Sequence, residues 1–333
     1  MAKISIIGAG SWGSALARIL GDNNNDVLIY DIDDKIVEEI NLYHTNKEKL
    51  PVGSLPLNVN ATNSISEAIS FSDIVVLSVP TKVLRSVLKE ISLVIDNPKL
   101  FVNTSKGIEP DTFLRVSEIV KQEINNEYIK EFVALTGPSH AEEVINQQLT
   151  IVCSVCENNE YAVLVQRLFN NPSYFRVYTG SDLKGAELCG ALKNIYAIAS
   201  GMLYGLGLGD NARAGLISRA LVEMKRFCHY ENASDETVFG LTGLGDLVVT
   251  TTSHHSRNFQ AGVKLATGSN LQETISSMTM VVEGARTAQA AYQRSLELDI
   301  EVPIIEEVYK VIYNHKSVKK AVNDLMSRNL KKE

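Results

Sequence analysis

Residues 3–20 read KISIIGAGSWGSALARIL. Lys3–Ile7 is a short apolar run of the kind that forms a buried strand. It empties into Gly8-Ala9-Gly10-Ser11-Trp12-Gly13, after which Ala15, Leu16, Ile19 and Leu20 recur at helical spacing. A lone G-x-G-x-x-G carries little information, but a strand before it and a helix after it give it a mechanism. The glycines let the chain turn tightly and approach a pyrophosphate, and the helix N-terminus offers N–H groups at the positive end of its dipole. The plainer reading is a Gly-rich strand-to-helix turn that binds nothing.

The next element favours the first reading. Residues 27–31, VLIYD, form a second expected strand, and its closing acid, Asp31, lies 18 residues beyond Gly13. A carboxylate at that distance suits the hydroxyls of an adenosine ribose. Asp33 and Asp34 follow, with no Arg or Lys before Lys35. A 2′-phosphate would meet repulsion there, which favours NAD(H) over NADP(H). One of Asp33 and Asp34 is also expected to cap the next helix. Gly8, Gly10, Gly13 and Asp31 are the expected cofactor contacts of this stretch.

More strand–helix units follow. Residues 74–78 (IVVLS) end at Val79-Pro80, with a helix expected over 83–95. Residues 100–103 (LFVN) lead into Thr104-Ser105-Lys106-Gly107, and 132–135 lead into Thr136-Gly137-Pro138-Ser139-His140, with a helix from about Ala141. Thr150–Val155 and 175–178 are two further expected strands. Such alternation predicts a parallel, doubly wound sheet. Ligands of such sheets collect beyond the carboxyl ends of the strands. Lys106 falls there, in a Gly-flanked turn, and is expected to touch a ligand.

From Asp182 the pattern turns helical. Residues 184–202, KGAELCGALKNIYAIASGM, are small or apolar nearly all round, which predicts a buried helix. Lys193 and Asn194 interrupt it. A buried lysine is costly and its pKa tends to fall. It either reaches water or pairs with a carboxylate, or it is a proton-transfer group at the floor of a site. Further on, Gly243-Leu244-Gly245-Asp246 breaks an apolar run, and Ser253-His254-His255-Ser256-Arg257-Asn258 precedes a helix expected over 259–266. Ser256, Arg257 and the first amides of that helix suit a phosphate, and Ser256 equally suits an N-cap. Val281-Val282-Glu283-Gly284 opens another helix, where Glu283 complements the dipole. The expected organisation is a dinucleotide-binding domain over 1–181 and a helical domain over 182–333.

Composition bounds the function. The chain has 333 residues, enough for two domains, and a net charge of −7, which gives no general attraction to nucleic acid or anionic membrane. No apolar run approaches the roughly 18–20 residues of a membrane span. The N-terminal residues enter a strand at once without a signal-peptide layout, so a cytoplasmic setting is expected. The cysteines at 153, 156, 189 and 228 fit reduced thiols. Cys153 and Cys156 spell C-x-x-C inside a strand pattern, with no second pair. His254 and His255 lack an acid or thiol at ligand spacing. No metal is expected.

Eight islands in order resemble the bacterial NAD(P)-dependent glycerol-3-phosphate dehydrogenases. They are GAGSWG (8–13), SKG (105–107), GPSHAEE (137–143), FRVY (175–178), GALKN (190–194), GLTGLGDLVVT (240–250), SRN (256–258) and VVEG (281–284). The resemblance runs from Gly8 to about Leu325. It implies a Rossmann-type first domain, an all-α second domain and a homodimer. It also implies reversible reduction of dihydroxyacetone phosphate to sn-glycerol 3-phosphate for glycerophospholipid synthesis. By position, Lys193 is the implied proton acceptor in the oxidation direction, and Lys106 touches both cofactor and substrate. Gly137, Ser139, Asp246, Ser256, Arg257 and Asn258 fall at substrate positions. Ser11, Trp12, Ala141, Val281 and Glu283 fall at cofactor positions, with Arg257 shared. Many members of the family carry His or Arg just after the second strand, facing the 2′-phosphate of NADPH. Tyr30-Asp31-Ile32-Asp33 stand there instead.

A mechanism follows from these parts. Lys193 serves as general acid for the carbonyl oxygen, with its pKa lowered by burial. Lys106 adds positive charge beside that oxygen. Asp246 orients Lys193 or holds a hydroxyl, with Thr250 and Asn194 as further candidates. Two alternatives stay open: a related two-domain hydroxy-acid dehydrogenase, and an NAD(H)-sensing protein without catalysis, which leaves Lys106, Lys193 and Asp246 without a purpose.

Overall fold

A computed structural model of the chain describes residues 1–110, 112–268, 282–330 and 332. The chain forms two compact units, Met1–Lys106 with Arg115–Leu183, and Gly107–Leu114 with Lys184–Glu333.

The first unit is built on one sheet of β1 (Lys3–Ile7), β2 (Asp26–Tyr30), β3 (Val59–Thr62), β4 (Ile74–Leu77), β5 (Lys99–Asn103), β6 (Ile129–Thr136), β7 (Thr150–Val155) and β8 (Phe175–Gly180). Their order is β3-β2-β1-β4-β5-β6-β7-β8. Residues such as Ile4, Ile6, Ile7, Val75, Val76 and Val102 are buried whichever face they point to. That is the reason these strands read as unbroken apolar runs rather than alternating ones. The helices are α1 (Ser11–Asp22), α2 (Asp34–Tyr43), α3 (Ile65–Phe71), α4 (Thr81–Ser92), α5 (Val116–Glu123), α6 (Ala141–Ile145) and α7 (Asn159–Phe169). β1 lies between β2 and β4, so the order reverses there and opens a crevice at the end of β1.

Two features depart from the sequence reading. β3 was not among the expected strands, because VNAT offers only four residues and no apolar run. β7 runs antiparallel to β6, whereas the other pairs are parallel. The cause is the short link. α6 has five residues, roughly 7–8 Å of helix, against roughly 26 Å for the eight residues of β6. It does not carry the chain back for a parallel return.

From residue 184 on, the regular elements of the second unit's described residues are all helices. It holds α8 (Leu183–Gly205), α9 (Asp210–Tyr230), α10 (Asp235–Phe239), α11 (Asp246–Thr252), α12 (Arg257–Thr267), α13 (Glu283–Glu297), α14 (Pro303–Tyr313) and α15 (Val318–Met326). α8 is its axis. Leu188, Leu192, Ile195 and Tyr196 pack with Met224 and Phe227 of α9 and with Ile305 and Val308 of α14. Residues 107–114 join this core through Ile108 and Phe113, and the Phe113 ring lies 5.6 Å from that of Phe227. The small residues of α8 have a use. A Cβ on Gly201 would stand 1.9 Å from the Phe259 carbonyl oxygen, and one on Gly262 2.0 Å from that of Ile198. Only glycine lets α8 and α12 approach so closely.

Candidate active site

In the first unit the glycine turn is shaped at both ends and open in the middle. Gly8 has φ +111°, and a Cβ there would lie 2.8 Å from the Ser78 carbonyl oxygen. A Cβ on Gly13 would lie 2.0 Å from the Gly8 carbonyl oxygen. At Gly10 a Cβ would meet nothing within 4 Å. The turn therefore presents an open face at the N-terminus of α1, the cradle a pyrophosphate needs.

Asp31 follows β2 and faces this turn. Its Oδ2 accepts the Ala9 N–H at 2.8 Å and its Oδ1 accepts the Asp33 N–H at 3.1 Å. Asp33 caps α2 by accepting the Lys35 N–H. Ser11 Oγ donates to the Lys49 carbonyl at 2.6 Å. Trp12 is half-buried against the core of this unit. Lys49 is a cation the sequence reading missed. Its ammonium is held above the usual lysine range by its hydrogen bond to Glu48, and the fields of Asp31 and Asp33 act in the same direction. Lys49 is 18 residues past Asp31 and outside any periodic segment, so no local signal places it there.

Lys106, Gly137 and Ser139 meet at one atom. Lys106 Nζ donates to the Gly137 carbonyl at 3.0 Å, and Ser139 Oγ donates to the same oxygen at 2.9 Å. Gly137 has φ +140°, and a Cβ on it would press on Val152 Cα at 3.0 Å. Ala141 opens α6 and is buried. These residues lie at the carboxyl ends of β5 and β6.

In the second unit Lys193 is only 6% exposed. Its ammonium donates to Asp246 Oδ1 at 2.6 Å and to Thr250 Oγ1 at 2.8 Å. Asp246 is 1% exposed. Thr250 Oγ1 donates in turn to the Asp246 backbone carbonyl at 2.6 Å, which leaves its lone pairs for the lysine. Between reaching water and pairing with a carboxylate, Lys193 does the second, which leaves its expected part in proton transfer open. Asp246 is delivered by a wide π-turn over Leu241–Gly245, in which the Gly245 N–H reaches the Gly240 carbonyl. A Cβ on Gly243 would lie 2.1 Å from the Val238 carbonyl oxygen. Such turns recur where a side chain must be aimed.

Asn194 is tied to the next elements. Its Oδ1 accepts from Asn258 Nδ2 at 2.9 Å, and Asn258 Oδ1 accepts the Gly284 N–H at 3.0 Å. The Asn258 amide thus bridges α8 to the first turn of α13, beside Glu283. Ser256 is buried and caps α12 by accepting the Phe259 N–H at 3.2 Å. Arg257 is exposed at the head of α12. Val281 lies outside the described residues. Among the described residues no three His, Cys, Asp or Glu converge as metal ligands. His254 packs edge-on against Tyr204 and Phe259 instead. Burial pushes the Cys153 and Cys156 thiols up to about 11.

Comparison with known proteins covers the whole chain. The family model described as NAD-dependent glycerol-3-phosphate dehydrogenase N-terminus matches residues 3–162, and the C-terminus model matches 182–323. A Bacillus cytotoxicus protein named glycerol-3-phosphate dehydrogenase [NAD(P)+] is 49% identical over 333 residues, all of this chain and 97% of that one. One of the same name from Acholeplasma laidlawii is 46% identical, covering 99% of each chain. The crystal structure of a Coxiella burnetii glycerol-3-phosphate dehydrogenase superposes with a TM-score of 0.91 at 30% identity, covering 98% of this chain and 99% of that one.

Proposed function

Because the chain belongs to the NAD-dependent glycerol-3-phosphate dehydrogenase family, and so is an NAD(P)-linked oxidoreductase, we propose how its residues divide the work. The first unit holds the dinucleotide. Gly8, Gly10, Ser11, Trp12 and Gly13 take the pyrophosphate at the head of α1, and Asp31 takes the ribose. Lys106 and Ala141 add contacts from the ends of β5 and β6. The bound nicotinamide supplies the hydride that reduces the carbonyl carbon of dihydroxyacetone phosphate.

The second unit supplies the proton. The observation that carries this reading is the buried Lys193, held between Asp246 and Thr250. As negative charge grows on the carbonyl oxygen, Lys193 gives up a proton to it. In the oxidation direction it takes the proton back. A positioned general acid contributes roughly 10²–10⁴ in rate. Lys106, already engaged with Gly137, adds positive charge for the substrate oxygen. Arg257, Ser256 and the first amides of α12 take the phosphate, anchoring the reacting carbon by a remote group. Gly137, Ser139 and Asn258 complete the substrate contacts, and Glu283 adds a cofactor contact.

NADH is the favoured nucleotide, on the support of Asp31 and Asp33. Support for a cytoplasmic homodimer serving glycerophospholipid synthesis comes from the family resemblance. Among the described residues no helix is long and apolar enough to cross a membrane. An assay following nicotinamide absorbance tests the reading, with dihydroxyacetone phosphate or unphosphorylated dihydroxyacetone and with either nucleotide. Turnover is expected with the phosphate ester, with the higher kcat/KM for NADH. Equal use of the unphosphorylated ketone would remove the phosphate site, and a clear NADPH preference would remove the cofactor assignment.

A further inference from the structure

The segment between α2 and β3 lies against the head of α1. Three of its residues meet the glycine turn or the helix it opens. The Lys49 carbonyl accepts from Ser11 Oγ, the Ser54 carbonyl accepts from Arg18 Nη1 at 2.8 Å, and Asn46 reaches the turn itself. Asn46 is 4% exposed. Its Nδ2 donates to the Ala9 carbonyl at 2.7 Å and to Ser14 Oγ at 2.9 Å. Its backbone carbonyl accepts the Leu50 N–H at 2.8 Å, and Leu50 is buried in the core of the unit, so the segment is anchored.

We propose that Asn46 is a positioning residue for the dinucleotide, which holds the Ala9 carbonyl turned inward and thereby aims the Gly10 N–H at the pyrophosphate. The peptide unit is planar and trans, so its C=O and N–H point in opposite directions. Fixing the Ala9 carbonyl therefore fixes the Gly10 N–H. The preceding peptide is fixed from the other side, since Asp31 accepts the Ala9 N–H. Both peptide planes around Ala9 are pinned by side chains, at the position where the turn is open. Asn46 Oδ1 has no hydrogen-bond partner in the structure. A buried acceptor left unmatched is unfavourable, and an apolar residue of similar size would pack there without it. The reverse orientation of the amide would set Oδ1 against the Ala9 carbonyl. What the amide contributes is its donor.

This inference rests on the reading that residues 8–13 hold the dinucleotide, and the experiment separates the two. Wild type, Gly10→Val, Asn46→Ala, Asn46→Asp and Ser14→Ala are titrated with NADH by nicotinamide fluorescence. Thermal unfolding and steady-state kinetics with dihydroxyacetone phosphate are run on each. Gly10→Val tests the site itself, because its side chain enters open space. Loss of NADH binding is expected, and unchanged binding would overturn the location of the site. With the site upheld, Asn46→Ala is expected to raise the NADH Kd about tenfold or more. Asn46→Asp, which keeps the size and sets a carboxylate against a carbonyl, is expected to raise it further. The kcat at saturating NADH and the KM for dihydroxyacetone phosphate are expected to stay within about twofold. Ser14→Ala, which leaves the Ala9 bond intact, is expected to bind NADH like the wild type. An NADH Kd within twofold of wild type for Asn46→Asp would overturn the proposal. So would a loss in Ser14→Ala equal to that in Asn46→Ala, or a fall in kcat that parallels the fall in affinity.

Discussion

Lys193 and Asp246 are 53 residues apart in sequence, and the Lys193 ammonium donates to the Asp246 carboxylate at 2.6 Å. Each was visible in the sequence for the same reason: a charged residue set among small apolar ones. Their meeting was one of two roles open for Asp246 in the sequence, and the choice between them depends on how α8 packs against α11. Removing one partner of a buried pair leaves an uncompensated charge, at a cost of about 3–5 kcal/mol. Lys49 and Asn46 show the opposite case. They sit in a segment without periodicity, and their nearness to the glycine turn arises only in the fold. Lys49 also gives a prediction at this scale. Its ammonium lies within the fields of Asp31 and Asp33, the acids that set the expected nucleotide preference. Lys49→Ala is expected to lower kcat/KM for NADPH by roughly two- to fivefold, the size of one exposed charge contact, with NADH little affected. Equal losses for both nucleotides, measured side by side, would show that Lys49 does not discriminate.

Strands and helices that follow long apolar runs were legible to within a few residues. β3 was not, being short and half polar, and the reversed β7 was not, because direction depends on the length of a link. Among helices, α14 carries an anchor that no pattern announces. Glu223 of α9 is 2% exposed and accepts the N–H groups of Ile304 and Ile305 at 2.9 Å each, capping the first turn of α14. Burial raises its pKa from 4.5 to about 7, against the pull of those donors and of Arg226 and Arg328. A carboxyl whose folded value is raised binds its proton more tightly when folded. Its contribution is complete below about pH 4.5 and is lost as pH rises through about 7. At about 1.4 kcal/mol per unit, the change is about 3 kcal/mol. Urea unfolding of wild type and Glu223→Gln between about pH 5 and 8 reads it directly. The wild type is expected to lose stability relative to the variant as pH rises. A difference that stays flat across that range would mean the carboxyl does not titrate there.

At the scale of the molecule, each unit has its own core. The sheet order around β1 places the glycine turn, Lys106 and Gly137 at strand ends, as the alternating pattern led one to expect. The helical unit buries Lys193 in its axis. The eight islands quoted from the sequence and the two family models run through both units. The assignment of function therefore draws on the whole chain rather than on the dinucleotide turn, which many unrelated oxidoreductases share.

The most direct test is the turnover number of Lys193→Ala at saturating NADH and dihydroxyacetone phosphate, on protein shown by titration to bind NADH. With Lys193 as the proton donor, kcat falls by about 10²–10⁴ or more while the NADH Kd stays within a fewfold of wild type. A loss of less than about tenfold, below what a general acid supplies, would place the proton elsewhere.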